Sequence, residues 1–429
     1  MDKIGGKYEV IRQLGAGATA AVYLAYDPFA EREVAVKLIS PDVLQDAERG
    51  RQFRHLLINE ASLAGKLVHP HIVQIFDAVV GEDESYIVME YVPGGTLEPY
   101  CSPDNLLAIE RVVEIVFKCT RALEYANRLG ITHRDIKPAN ILLAEPQGGD
   151  IKISDFGACM QSSGEQTQTQ VMGVGSPAYM SPEQVQDQAI THQTDIYALG
   201  VVMYQLLTGR LPFQASSNYG MIYQICNTDP PPPSTFRQDV PPALDAVVAR
   251  AMQKRVEDRY PTWAAFAHDL AQAFRSRQPA APQGDVPESE RFETLRALPF
   301  FTAFSDVEIW EVVRFARWED VDAGTRIMQD GEPGDHFCFV LDGEVVVSKE
   351  GREIGMLGHG EPVGEIAVID RRHPHRVADV IARSEARIVI VPATALAHAS
   401  EACRMHFYEG FLSVLAGRLA RTNLLLAHA

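Results

Sequence analysis

Over residues 8–39 the chain runs in short stretches of alternating apolar and polar residues, YEVIRQL, AAVYLAYD and REVAVKLI, separated by glycines or charged turns. That alternation predicts an antiparallel sheet. From Asn105 onward the period lengthens to that of amphipathic helices, as in RVVEIVFKCTRALEYANRL and ALDAVVARAMQK. A β-rich small lobe of about residues 1–92 and an α-rich large lobe of about residues 93–275 are expected. The most apolar run, Ile196 to Leu207, is shorter than the roughly 18–20 residues that cross a bilayer and reads as a buried core helix. The prolines 230–233 break structure between two helices and read as a rigid surface loop.

Residues 275–290, RSRQPAAPQGDVPESE, almost lack large apolar side chains. Such a stretch buries too little surface to order itself and reads as a linker. The expected organisation is a first domain over 1–275, a linker over 276–290 and a second domain over 291–429. In the second, helical spacing gives way near Val321 to short strands punctuated by glycines from Gly324 to Gly364. Turn signals this regular predict a small β-barrel or jelly roll. Residues 393–429 return to helical spacing, so the fold class is α+β.

Hydrophobic residues make up 46% and charged residues 22% of the chain, which is enough apolar material for a sizeable core in each domain. The net charge of −18 opposes general nucleic-acid binding and unaided attachment to an anionic membrane. The six cysteines are scattered without Cys-x-x-Cys spacing and read as reduced core thiols, Cys159 lying nearest the candidate chemistry. No basic-then-apolar leader opens the sequence, and a cytoplasmic protein is expected.

The candidate chemistry begins with LGAGATAAV at residues 14–22, where Gly15 and Gly17 sit between two expected strands. Glycines let a backbone approach phosphate oxygens closely. Ala35-Val36-Lys37 lies on the following strand and Glu60 on a helical segment. His133-Arg134-Asp135-Ile136-Lys137-Pro138-Ala139-Asn140 follows a long helix, Asp155-Phe156-Gly157 follows a strand, and Ser181-Pro182-Glu183 comes later. In order, spacing and element context this set resembles the protein kinase family over residues 8–274.

The resemblance implies a two-lobed kinase fold binding ATP with Mg²⁺, or Mn²⁺ in its place. Lys37, held by Glu60, would grip the α- and β-phosphates, and Asn140 and Asp155 would hold the metal. Asp135 would orient the acceptor hydroxyl, and Lys137, which marks serine/threonine specificity in the family, would stabilise the phosphate in transfer. Adenine would lie among Leu14, Val22, Ala35, Met89 as gatekeeper, and the backbone of Glu90 and Val92. Asp195 would brace the catalytic loop, and Arg259 would pair with Glu183. Arg134 implies an activation-loop phosphate, for which Thr167 and Thr169 are the candidates. Two positions depart from the family pattern: Ala20 replaces the last loop glycine, and Ser176 stands where threonine is usual. Neither removes a required functional group.

Residues 298–396, including DGEPGDHFCFVLDGEV from Asp330, resemble the cyclic nucleotide-binding domain. That resemblance implies a phosphate cassette in which Glu365 takes a ribose 2′-hydroxyl and Arg376 a cyclic phosphate. Gly364, Ile366, Ala367 and Val377 would surround the ligand, cAMP or cGMP. Val377 and Asp379 depart from the pattern, and the insert with Arg371, Arg372, His373 and His375 is unusually basic. Three readings follow: a kinase acting on protein substrates and regulated by a cyclic nucleotide, a kinase whose second domain is a docking or homodimerisation module, and a catalytically dead nucleotide-responsive adaptor.

Overall fold

β-Branched and aromatic residues in the N-terminal runs fit a pleated, half-buried surface, and six antiparallel strands form there. They are β1 (Lys3–Ile4), β2 (Tyr8–Ala16), β3 (Ala20–Asp27), β4 (Arg32–Ile39), β5 (Ile75–Val80) and β6 (Ser85–Glu90), in the spatial order β1-β2-β3-β4-β6-β5. The structure is a computed structural model that describes residues 2–17, 19–40, 42, 57–58, 62, 65–81, 84–145, 150–156, 160–161, 177–275, 287–369 and 375–428. Glu60, Gly157, Cys159, Thr167, Thr169, Ser176, Arg371, Arg372 and His373 lie outside the described residues, as does most of the expected linker.

Alternation along β4 sends Val34 and Val36 to one face with Tyr8, Ala25 and Val88, and Ala35 to the other with Val73, Met89 and Val92. Register then sets Val22 opposite Lys37 and Ala35 opposite Met89. A residue predicted to touch phosphate is thereby brought beside those predicted to touch the base.

The large lobe contains α1 (Ile109–Arg128), β7 (Ile131–Thr132), β8 (Ile141–Leu143), β9 (Ile151–Ile153), β10 (Met160–Gln161), α2 (Pro182–Val185), α3 (His192–Thr208), α4 (Asn218–Asn227), α5 (Pro242–Ala251) and α6 (Trp263–Arg275). Helix α3 is buried almost throughout, including Ile196, Tyr197, Leu199, Val201, Val202 and Met203. A helix surrounded by protein is apolar all round, which accounts for the Ile196–Leu207 run. It ends at Gly209 with φ 69°, where a Cβ would lie 2.3 Å from the Pro103 nitrogen, so only glycine both turns the chain and fits. Among the described residues no helix is long and apolar enough to cross a membrane.

The chain divides into two compact units, Met1–Asp285 and Val286–Ala429. The second opens with α7 (Glu288–Ala297) and α8 (Asp306–Phe315) and continues with β11 (Arg317–Val321), β12 (Arg326–Met328), β13 (His336–Asp342), β14 (Val345–Lys349), β15 (Arg352–Leu357), β16 (Pro362–Val363), α9 (Glu365–Ile369), β17 (Asp379–Ala382), β18 (Ala386–Pro392), α10 (Ala393–His398) and α11 (Glu401–His428). Two four-stranded sheets, β11-β18-β13-β16 and β12-β17-β14-β15, enclose Met328, Cys338, Val340, Val345, Val380, Ile388 and Ile390.

Two boundaries differ from the sequence reading. Helix α7 begins at Glu288, inside the stretch read as linker, because Ser289 and Phe292 are buried and Glu288 and Glu290 favour a helix N-terminus. The strands begin at Arg317 rather than near Val321. The polar segment RWEDV is a sheet edge paired with β18 on one side only, so its solvent-facing residues hide the strand pattern.

Candidate functional site

The loop after β7 is held by its own backbone. Both oxygens of buried Asp195 accept from it: Oδ2 from the His133 N–H at 2.7 Å and Oδ1 from the Arg134 N–H at 2.8 Å. Burial pushes the Asp195 carboxyl above its usual range, against the pull of His133 and these two N–H groups. The His133 ring accepts at Nδ1 from the Asp135 N–H at 3.2 Å, so its Nε2 carries hydrogen and donates to the Ser154 carbonyl at 2.9 Å. The same ring packs on Phe156, 4.5 Å between centroids. One histidine thus ties the Asp135 loop to the segment carrying Asp155. Arg134 and Asp155 both adopt the left-handed backbone region, φ 69° and 63°. Non-glycine residues persist there only where surrounding contacts over-determine them.

These braces bring five of the predicted side chains into two contacting sets. Lys137 Nζ donates to Asp135 Oδ2 at 2.8 Å, and Asn140 Nδ2 donates to the Asp135 carbonyl at 2.8 Å and to its Oδ2 at 3.1 Å. Lys37, reaching in from β4, pairs directly with Asp155. Burial alone would raise the Asp155 carboxyl; the Lys37 ammonium and its hydrogen bond outweigh it, with help from His133 and Lys137, and hold it below the usual carboxylate range. The bond to Asp135 fixes the Asn140 amide with its nitrogen inward, which leaves the amide oxygen as its acceptor.

The apolar slot is assembled from both lobes. Ala35, Met89 and Val92 belong to one buried cluster, with Val22, Tyr91 and Leu142 packed against it. Leu142 was not picked out from the sequence. In Ile-Leu-Leu at 141–143 all three residues are apolar, and only the pairing of β8 with β9 turns the middle one the other way from its buried neighbours. Leu14 is exposed near the strand turn, where the Gly17 N–H closes onto the Ala20 carbonyl at 2.8 Å and Gly15 pairs with Val22. The Glu90 N–H donates to the Gln74 carbonyl at 2.8 Å, and its carboxylate pairs with Lys152 at 3.0 Å.

Next to the Asp135 loop, Arg259 clasps Glu183 with two bonds, Nη1 to Oε1 at 2.8 Å and Nη2 to Oε2 at 2.7 Å. The Thr194 hydroxyl donates to Oε1 at 2.7 Å. Gln184, the next residue, reaches from α2 to the Arg134 carbonyl at 2.9 Å, and Ser181 caps that short helix through a reciprocal bond with Gln184.

In the second unit the cassette residues also meet. Arg376 is buried and donates to the Gly364 carbonyl at 3.0 Å, with His336 Nδ1 at 3.3 Å and Asp335 Oδ1 at 3.7 Å. Gly364 has φ 82°, and a Cβ there would stand 2.6 Å from Arg376 Nη1, so the close approach requires glycine. Glu365, 1% exposed, accepts from Arg418 Nη1 at 2.6 Å, while Arg418 Nη2 donates to the Pro362 carbonyl at 2.6 Å. Burial pushes the Glu365 carboxyl up, with Arg418 opposing. Nothing in the sequence pointed to Arg418, which lies 53 residues from its partner on α11. Ala367 is buried against Gly334, whereas Ile366 and Val377 are exposed.

The protein kinase domain model matches residues 8–271, more than half of the chain. This chain belongs to the protein kinase family. The cyclic nucleotide-binding domain model matches residues 318–402, so the kinase domain is followed by a domain of that second family. Among curated relatives, serine/threonine-protein kinase PknB of Mycolicibacterium smegmatis is 37% identical over 305 residues, covering 69% of this chain and 47% of that protein. Serine/threonine-protein kinase PrkC of Bacillus subtilis is 37% identical over 298 residues, 69% of this chain and 45% of that protein. A probable serine/threonine-protein kinase of Streptomyces coelicolor is 40% identical over 267 residues, 60% of this chain and 38% of that protein. The kinase chain therefore spans less than half the length of these relatives.

Proposed function

We propose that the chain is an active, cytoplasmic kinase transferring the γ-phosphate of ATP to serine or threonine hydroxyls of proteins, with a C-terminal domain that senses a cyclic nucleotide. The observation that carries the kinase reading is the convergence of Lys137, Asp135 and Asn140 in one hydrogen-bonded set beside the Lys37–Asp155 pair. Phosphoryl transfer depends on positioning and charge neutralisation more than on covalent chemistry by the protein, and this set supplies both.

Each residue then has a task. Lys37 holds the α- and β-phosphates, supported by Glu60. Asp135 orients the acceptor hydroxyl and takes its proton; Lys137 shields the phosphate in transfer. The Asn140 amide oxygen and the Asp155 carboxylate form a hard oxygen donor set suited to Mg²⁺, or Mn²⁺, which would supply charge neutralisation there. Leu14, Val22, Ala35, Met89, Val92 and Leu142 give adenine an apolar slot, the backbone of Glu90 and Val92 orients it, and Gly15 and Gly17 allow close approach to phosphate. Incubated with Mg-ATP and a generic protein acceptor, the full chain is expected to place phosphate on serine and threonine and none on tyrosine. Mass spectrometry of the chain itself should then find phosphate on Thr167 or Thr169. Its absence from both removes the activation-loop assignment, and absence from every acceptor removes the kinase reading.

For the second domain, the support is the buried Arg376 beside Gly364 with the buried carboxylate of Glu365 next to it. Arg376 would take the cyclic phosphate with the backbone of residues 365–367, Glu365 the ribose hydroxyl, and Ile366 and Val377 would flank the base or sugar. A docking module remains the second reading, because Arg418 already satisfies Glu365 and the Gly364 carbonyl already engages Arg376. Titration calorimetry of the full chain with cAMP and with cGMP separates the two. Binding that disappears in Arg376→Ala supports a sensor; no heat with either ligand at high micromolar concentration supports the docking module.

A further inference from the structure

The run Ser181-Pro182-Glu183-Gln184 has the spacing of a helix capping box, serine followed three residues later by glutamine. Helix α2 uses it as one. Gln184 Oε1 accepts from the Ser181 N–H at 3.0 Å and from its hydroxyl at 3.2 Å, while the Gln184 N–H donates to Ser181 Oγ at 3.4 Å. These bonds ask only for an acceptor on the side chain of residue 184. A glutamate makes the same box, so the cap does not call for an amide. With Oε1 held by Ser181, the amide nitrogen turns the other way, and Nε2 donates to the Arg134 carbonyl at 2.9 Å. Gln184 is 4% exposed and Ser181 fully buried, which leaves water little access to replace this donor.

The place where that bond lands gives it a consequence for the chemistry. The Arg134 carbonyl and the Asp135 N–H belong to one peptide unit, which is planar and turns as a body between its flanking Cα atoms. Its N–H donates to His133 Nδ1 at 3.2 Å, and its carbonyl accepts from Gln184, so both sides are held. The His133 ring sits two residues away in the same loop, whereas Gln184 ties the unit to a separate element 50 residues on. Rotation of this unit changes ψ of Arg134 and φ of Asp135 together, and with them the direction of the Asp135 side chain. We propose that Gln184 is a positioning residue for phosphoryl transfer, its amide fixing the peptide unit that aims the Asp135 carboxylate. This role rests on Asp135 orienting the acceptor hydroxyl, and it adds a dependence on α2. That helix is anchored in turn through Glu183, which Arg259 and Thr194 hold. One hydrogen bond thus carries the placement of α2 to the catalytic loop, where a misplacement of about 1 Å can cost roughly a hundredfold in rate.

Gln184→Glu separates the cap from the positioning, because a carboxylate accepts from Ser181 but has no hydrogen for the Arg134 carbonyl. The full chain carrying it is expected to lose at least about tenfold in kcat near neutral pH, with the KM for ATP unchanged. On acidification the introduced carboxyl gains a proton, accepts through one oxygen and donates through the other. Its rate relative to wild type should then climb back, and burial, which raises the pKa of a carboxyl, brings that recovery toward neutral pH. The charged and titratable groups of the same network, His133, Arg134, Asp135, Glu183, Asp195 and Arg259, are common to both proteins, so the ratio isolates the new carboxyl. Gln184→Met, uncharged and of similar length, should lose rate with no recovery at any pH. It also decides the matter if melting curves show that the glutamate variant does not fold.

A wild-type kcat in either folded variant overturns the role of Gln184. So does a rise in acceptor KM with kcat unchanged, or a folded glutamate variant whose relative rate does not recover on acidification. A wild-type chain that transfers no phosphate is the separate failure of the kinase reading, and the role falls with it.

Discussion

Asp135→Asn is expected to lower phosphoryl transfer by at least about a hundredfold, the lower end of what a positioned acid–base group contributes, while leaving thermal stability nearly unchanged. The Asp135 side chain is 45% exposed and its neighbours do not depend on its charge to stay folded. The loop is fixed instead through backbone groups, by Asp195 from below and by the His133 ring from the side. Asparagine can still accept from Lys137 and Asn140, so the geometry survives. What it lacks is a carboxylate to draw the acceptor hydroxyl proton and to balance Lys137. A radiometric or mass-spectrometric transfer assay beside a melting curve reads both arms. Unchanged transfer would sink the assignment of Asp135, and a large fall in melting temperature would show that the loop depends on this charge for its fold.

The largest effect on stability is expected at Arg259. Arg259→Ala leaves Glu183, 2% exposed, as a buried carboxylate without its cation. Breaking one side of such a pair typically costs about 3–5 kcal/mol, which in a domain of this size corresponds to a fall on the order of ten degrees in melting temperature. In the wild type, burial by itself would raise the Glu183 carboxyl; the hydrogen bonds and charge of Arg259, with Thr194, outweigh it and hold the group below the usual carboxylate range. A depressed folded-state value means that the contribution is fully present above the ordinary carboxylate range and is lost as pH falls through the folded value. In the variant burial acts with little opposition, so Glu183 protonates at higher pH. The stability gap between the two proteins should therefore be widest near neutrality and narrow on acidification. Removing both charges together should cost less than the sum of the single changes. A variant melting within a degree or two of wild type at neutral pH would contradict this account. Because Gln184 links the same short helix to the Arg134 carbonyl, the loss should also reach the catalytic loop.

Much of this was legible along the chain because the features are local. The strands of the small lobe declare themselves by alternation, the core helix α3 by its unbroken apolar run, and the roll of the second domain by evenly spaced glycines. The kinase family could be named because its motifs are short, ordered and separated by elements of readable period. Other features leave little local trace. Strand β11 is polar because it is an edge, α7 begins within a proline-rich and acidic stretch, and Leu142 is one apolar residue among three.

The sequence by itself determined the family and the two-domain order and put forward the candidate groups for chemistry, since these depend on residue types at fixed spacings. Only the tertiary structure decided which of those groups touch. It joined Lys37 to Asp155 across the two lobes, wedged His133 between the catalytic loop and Phe156, and brought Arg418 back to Glu365 from the last helix. The physical reason is the same in each case. Contacts between residues distant in sequence are selected by packing and by the need to pair every buried charge, and neither leaves a periodic mark on the chain.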